Sequence, residues 1–540
     1  MSQTSIPFFD LSLSFNIKLL YGVLRNAIRH ASLLQTLILT FLSLYFMDTI
    51  YLVFIHPLRN VPGPRIAKFS QAWRNFRYFR GTWHSDVLNL HRQYGPVVRI
   101  APNEVSFVDE VALKSLYGHG KQIQKTNWYD TWIIPNMTVS FFAATDIKLH
   151  RHLRSRVSGA YSMTSILAME PLVQDVADAL WDRLRTLAEK EQPVALHLWA
   201  KYFAFDVVGQ LALGGRIGFV QQGCDVDGII ASINDGFYLM ANMGNVLGQM
   251  SWINNPLTQW AIRTLGGRRL NAFSVFLAWL EKRVDERMAG SGGGRRDMLQ
   301  HFIDAKDTAG FPVTKADVMI EGVNILGAGA DTTSIGILAC LGALLQHPDC
   351  LRRAQAEVDC AYRDLGLERN SGDISFKDAE RLPYLAAVIK ESTRLHPSIQ
   401  YQLPRYAPKG GVQIGEFFVR EQTVCAINPV AMNRHKQIFG PDADHWRPER
   451  WIASSVEDEE RIRHRTSLLT TFGMGSRSCV GKNLATVELF KFTAQFLRHF
   501  DAELLNPEKP WETKTQWFSM QSNFWIRLKT RDVSQIKNQC

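Results

Sequence analysis

A cysteine set among glycines is the feature of this chain best equipped for chemistry. The segment Phe472-Gly473-Met474-Gly475-Ser476-Arg477-Ser478-Cys479-Val480-Gly481 runs directly into an amphipathic stretch that begins at Lys482 and reaches about Phe500. Glycine adopts backbone conformations closed to other residues, so Gly473, Gly475 and Gly481 let the main chain pass close to a flat partner. The sulfur would stand at a helix start, where unpaired N–H groups and the helix dipole favour a thiolate over a thiol. Arg477 adds a fixed positive charge two residues earlier. At average residue usage, the pattern FxxGxRxCxG arises by chance in a chain of this length on the order of once in ten thousand. The chemistry on offer is that of a thiolate ligand.

A second group of residues could move protons. Ala328-Gly329-Ala330-Asp331-Thr332-Thr333 interrupts a helical stretch that is otherwise apolar through Ile325, Leu326, Ile335, Ile337 and Leu338. Small Ala328 and Gly329 leave room beside a helix for a flat group and a diatomic ligand. Thr332 can bend the backbone bonding and offer its hydroxyl there, and Asp331 is an exchangeable proton source. Further along, Glu391 and Arg394 stand at i, i+3 on one helix face, and Arg450 follows in Pro448-Glu449-Arg450-Trp451.

These residues need a frame. A long helix is expected from Thr314, capped with Asp317 three residues on, to Gln346, where His347-Pro348 stops it. Met169–Glu191 and Phe273–Met288 also carry apolar residues at helical spacing, the latter ending in the glycine run Ala289–Gly294. That run is a surface loop and not a phosphate cradle, because no strand precedes it and no Gly-Lys-Ser/Thr follows. Alternation in Val97–Ile100 and Glu104–Val108 predicts a small hairpin. The fold class is mainly α, with small sheets at each end of the sequence.

Ala31–Ile55 is apolar apart mainly from Gln35 and Asp48 and exceeds the ~30 Å hydrocarbon core at ~1.5 Å per residue. It is expected to be a transmembrane anchor after a tail over 1–30. The prolines of His56-Pro57-Leu58-Arg59-Asn60-Val61-Pro62-Gly63-Pro64 form a stiff hinge at 56–64, leaving 65–540 as the catalytic domain. Basic residues flank the span on both sides, so charge does not orient it.

The 540 residues carry a net charge of +10, with the basic residues scattered, which argues against nucleic acid and leaves a membrane face or an acidic protein partner. The seven cysteines are odd in number, spread out and without a CxxC pair. A disulfide framework or zinc ribbon is not expected, and Cys350 and Cys360 read as small buried packing.

The cysteine loop resembles the haem-binding signature of the cytochrome P-450 superfamily. Glu391-Ser392-Thr393-Arg394 resembles that family's ExxR motif, Pro448–Trp451 the segment completing a Glu-Arg-Arg network, and Ala328–Thr333 its AGxDT motif. The resemblance implies haem b with Cys479 as axial ligand to the iron, Phe472 in the haem loop, a structural network of Glu391, Arg394 and Arg450, and a proton relay of Asp331 and Thr332. It assigns the propionates to Arg477, Arg405 and the segment holding His150 and Arg154. His150 stands where the family has tryptophan, so Arg154 is the firmer assignment.

Asn433-Arg434-His435 and Phe439-Gly440-Pro441 give the chain the style of fungal microsomal members, which decorate terpenoids, polyketides or alkaloids. That style implies a single-pass protein of the endoplasmic reticulum membrane with a cytosolic catalytic body. It further implies NADPH-derived electrons from a cytochrome P-450 reductase, with cytochrome b5 as a second partner. The expected reaction is insertion of one atom of dioxygen into a bulky, largely apolar substrate. The family's variable segments place Trp128, Tyr129, Trp132, Phe141, Phe142, Tyr401, Trp517 and Phe518 towards that substrate, although each could equally pack the core. The Asn136 sequon would be silent on a cytosolic body. Two rivals stand beside this reading: a haem-thiolate isomerase or dehydratase, and a membrane haem sensor without turnover.

Overall fold

The structure is a computed structural model that describes residues 22, 25 and 33–532, apart from 122, 136, 266, 292–296, 307–309, 311 and 368–371. The tail expected over 1–30, save for two positions, lies outside the described residues, as do Asn136 and the glycines at 292–294. Two compact units are distinguished, one up to Asn60 and one from Val61 onward.

In the first unit, helix α1 (Leu33–Ile50) continues as a π-helical turn, Tyr51–Ile55. Its apolar side chains are largely exposed. The apolar stretch Gln35–Ile55 is 21 residues long, enough at ~1.5 Å per residue for a ~30 Å hydrocarbon core. The N–H of His56 donates to Tyr51 O at 2.8 Å, and Pro57, which cannot extend a helix, follows.

In the second unit the expected hairpin forms. Strands β1 (Val97–Ala101) and β2 (Glu104–Phe107) pair antiparallel, Val97 opposite Phe107. Next come α2 (Ile147–Val157), β3 (Val194–Ala195), α3 (Leu196–Ala212), α4 (Lys315–Gln346) and α5 (Pro383–Leu395). The strands β4 (Arg405–Tyr406), β5 (Val412–Ile414), β6 (Phe417–Val419) and β7 (Val424–Ile427) precede α6 (Lys482–His499). β8 (Phe500–Leu504), β9 (Glu512–Gln516), β10 (Phe518–Ser522) and β11 (Trp525–Thr530) complete the order.

The front hairpin does not make a sheet by itself. β2 pairs in parallel with β7, and β7 pairs with β4, giving the order β1-β2-β7-β4. This sheet brings Arg405 beside the start of the body, because backbone donors left open along β2 are met by a strand three hundred residues away.

The helix expected from Phe273 begins six residues sooner, at Gly267, and closes in a π-helical turn through Ser291. Cys360, expected as plain packing, is disulfide-bonded. Cys224, Cys340, Cys350, Cys425 and Cys479 are free thiols.

Helix α3 is buried on nearly every side, as its apolar perimeter requires. Helix α4 spans ~48 Å and packs along it. Thr314 caps α4 as expected: the Asp317 N–H donates to Thr314 Oγ1 at 3.3 Å, and the Thr314 N–H donates to Asp317 Oδ2 at 2.8 Å. At Gly327 a β-carbon would lie 2.3 Å from the Phe237 ring, so only glycine lets that aromatic seat against the helix.

Candidate active site

The loop before α6 is shaped by its glycines. Gly473 and Gly475 have φ of 67° and 65°, in the left-handed region. A β-carbon on Gly475 would fall 2.3 Å from Tyr117 O, which bars any other residue. The Cys479 N–H donates to Phe472 O at 2.8 Å, closing the loop, and the Lys482 ammonium lies 5.9 Å from the Phe472 ring centroid. Arg154 of α2 donates to Ser478 O at 2.7 Å, and Arg477 donates to Ala144 O at 3.3 Å.

Cys479 is exposed, although its surroundings are rich in protein atoms. Burial raises the thiol pKa. The N–H groups of Gly481 and Lys482 and the charges of Arg154 and Lys482 pull it down, but only in part. The helix start and the nearby positive charges thus favour the thiolate against the opposing effect of burial, and a bound metal cation would add further positive charge in its favour.

Behind the loop, the expected Glu391–Arg394–Arg450 network is assembled and wholly buried. Arg394 Nε and Nη2 donate to the two Glu391 oxygens, each at 2.8 Å. Arg450 Nε donates to Glu391 at 3.0 Å, and the Trp451 indole N–H donates at 2.8 Å. Burial pushes the Glu391 carboxyl up, but the bonds from Arg394 and the charges of Arg394 and Arg450 hold it below the ordinary value.

The network reaches the cysteine loop through Asn433. Arg394 donates to the Asn433 backbone O at 2.7 Å, and the Asn433 side-chain Oδ1 accepts from the Thr470 N–H and hydroxyl at 3.0 and 2.8 Å. Thr471 Oγ1 in turn donates to Thr393 O at 3.1 Å. The loop segment entering Phe472 is thus clamped to α5.

Arg154, Arg405 and Arg477 converge on a fourth cation that sequence reasoning missed, Lys125. Their charges, after burial, drive the Lys125 ammonium well below its usual pKa. Lys125 is buried; it donates to Phe141 O at 3.3 Å and to Phe142 O, and lies 4.7 Å from the Tyr129 ring centroid. Arg405 donates to the Tyr129 hydroxyl at 2.7 Å. Burial and this crowd of charge also hold His150 neutral, its pKa lowered to about 3, and lower Arg477 to about 10. Among the described residues, none of the four cations pairs with a carboxylate. Such a cradle suits a group that brings two carboxylates of its own. Together with a sulfur on a glycine loop, these donors fit haem.

On α4, the residues between Asp317 and Gly342 that are not buried are Asn324, Ala328, Gly329 and Thr332, all on one helix face. The Thr332 hydroxyl donates to Ala328 O at 2.7 Å, and Ser398 donates to Thr332 O at 2.7 Å. Asp331 points elsewhere. It is fully buried, with the Lys201 ammonium of α3 at 3.2 Å, an ion pair not aligned as a hydrogen bond. Burial raises the Asp331 carboxyl pKa, and Lys201 opposes the rise. Lys201 was not expected, since nothing in the sequence ties it to α4.

Of the aromatic residues expected towards the substrate, all but Phe141 gather in one cluster of ring contacts. Trp517 has ring neighbours Trp132 at 4.8 Å, Trp128 at 5.4 Å, and Phe142 and Tyr401 at 5.9 Å. Its φ of 80° is strained for a bulky residue, at a cost of about 1–3 kcal/mol, and holds the indole at the tip of the β9–β10 hairpin. A cavity of about 160 Å³ is lined by Trp128 and Tyr401 together with Arg74 and Glu104, and by none of the cysteine-loop, α4 or cationic residues above.

Comparison with known proteins agrees with this geometry. The family model for cytochrome P-450 matches residues 61–524. A cytochrome P-450 monooxygenase of Emericella nidulans is 32% identical over 510 residues, covering 92% of this chain and 98% of that protein. Pisatin demethylase of Fusarium vanettenii is 31% identical over 500 residues, covering 90% of this chain and 92% of its own length. Among solved structures, a cytochrome P-450 heme domain aligns with a TM-score of 0.71 at 17% identity, covering 88% of this chain and 98% of that one, a likeness of fold. With the glycine loop, the clamped Glu-Arg-Arg network and a family match over most of its length, the chain belongs to the cytochrome P-450 family and is a haem monooxygenase.

Proposed function

We propose that Cys479 is the axial ligand of haem b, and that the enzyme oxidises a bulky, largely apolar fungal secondary metabolite such as a terpenoid, polyketide or alkaloid. Electrons come from NADPH through a separate flavoprotein reductase, with cytochrome b5 as a second donor. Residues 31–55 anchor the chain in the endoplasmic reticulum membrane, 56–64 form the hinge, and 65–540 are the cytosolic catalytic domain. The observation that carries the reading is the exposed Cys479 sulfur on a loop held from three sides, by Arg154, by the loop's own Phe472–Cys479 bond and by the Asn433 clamp.

When bound, haem supplies the activation of dioxygen and the transfer of one oxygen atom. The chain's residues prepare that chemistry. Arg154, Arg405, Arg477 and Lys125 hold the propionates, and neutral His150 offers a hydrogen bond. The Thr332 hydroxyl, on the open face of α4, hands on a proton that Asp331 stores and Lys201 replenishes from its partly exposed position. The aromatic cluster excludes water and shapes the chamber for an apolar body.

The reduced carbon monoxide complex of the full-length protein tests the central claim. The wild type should show the thiolate-type Soret band, and Cys479→Ser should lack it. A wild type without porphyrin, or a variant that keeps the band, would end the proposal. NADPH consumption with reductase should also depend on added substrate.

A further inference from the structure

Helix α4 offers one polar side chain to the open space that is neither backbone-bonded nor part of the Asp331–Thr332 pair. Asn324 is half-buried on the face shared with Ala328 and Thr332, amid buried Val323, Ile325, Leu326 and Gly327. Its amide nitrogen donates to Glu321 Oε2 at 3.0 Å, one turn back, and Glu321 is 3% exposed. An asparagine inside an apolar helix is unfavourable both by propensity and by the cost of desolvating its amide. Glu321 offsets only part of that cost. Because the amide is planar, pinning the nitrogen on a buried carboxyl also fixes where the carbonyl oxygen and second N–H point.

We infer that Asn324, oriented by Glu321, is a specificity residue that binds a hydroxyl group of the substrate inside the otherwise apolar chamber. The inference rests on the proposed haem-thiolate reading and narrows it to a hydroxylated apolar molecule. Asn324 precedes Thr332 by eight residues, so the anchored hydroxyl lies about 12 Å along the helix from the Thr332 hydroxyl that serves the oxygen chemistry. The substrate must span that distance, and oxidation falls on the end remote from its hydroxyl. A hydroxyl matches the site because it both donates to the amide carbonyl and accepts from the free N–H.

The test uses 1-alkylimidazoles of graded chain length, each paired with its ω-hydroxy counterpart, titrated spectrally against full-length holoprotein. The imidazole nitrogen ligates the iron and the chain lies along α4. At the length that carries the hydroxyl about 12 Å, the hydroxylated probe should bind about three- to tenfold tighter than its methyl-ended twin. Asn324→Leu and Asn324→Ala should erase that advantage without weakening the methyl-ended series, whereas Glu321→Gln, which can still accept from Asn324, should keep it. No gain from the hydroxyl at any length in the wild type overturns the inference without recourse to a variant, as does a gain that survives in Asn324→Leu. If neither series shifts the wild-type spectrum, the haem-thiolate reading itself fails.

Discussion

At the residue scale, two buried carboxylates meet the same demand in different ways. Glu391 stays ionised because five donors surround it. Its folded pKa lies below the unfolded value near 4.5, so its contribution to stability is complete above that value and is lost as pH falls through the folded one. Acid unfolding followed by circular dichroism should therefore be steeper in wild type than in Glu391→Gln. Equal slopes would contradict the assignment. Asp331, with one cation, is held less firmly. In Lys201→Met its carboxyl should stay protonated and stop cycling. Oxygen-driven turnover should then fall about tenfold or more while peroxide-driven turnover persists, measured as product formed per NADPH consumed. Unchanged coupling would remove Lys201 from the relay. Glu391 and its arginines were readable because their spacing forms a motif. Lys201 and Lys125 were not, since each meets its partners only through folding.

At the scale of elements, helix α4 began and ended where its local chemistry says. Thr314 and Asp317 cap each other's backbone, and Pro348 belongs to the next helix. Thr314→Ala should cost about 1 kcal/mol in a urea titration with little change in the carbon monoxide spectrum. A loss much larger than that would show that Thr314 does more than cap. The front hairpin was equally legible, since alternation and turn residues are local. Its marriage to β7 and β4 was not, because strand pairing depends on contacts that sequence separation hides. The aromatic residues show the same divide. Their types announced an apolar site, but whether they met in one cluster or dispersed through the core was settled by packing, with Phe237 joining Trp132 at 5.2 Å from a helix that carried no signal.

At the scale of the whole molecule, the apolar stretch Gln35–Ile55 makes the chain a membrane protein in the proposed reading. Removing residues 1–55 should move the protein from the high-salt-resistant membrane fraction into the soluble or salt-extractable fraction while its carbon monoxide spectrum persists. Retention of the shortened chain in salt-washed membranes would deny that this segment is the sole anchor. By itself, the sequence determined whatever depends on neighbours along the chain: the apolar N-terminal helix, the caps of α4 and the glycine loop around Cys479. Only the tertiary structure decided which distant charges share a space. It gathered Lys125 with three arginines, turned Asp331 towards Lys201, left Asn324 on the open face, and set burial against the helix start at the Cys479 thiol. The physical reason is that desolvation and charge pairing depend on three-dimensional surroundings, whereas propensity and periodicity are written locally.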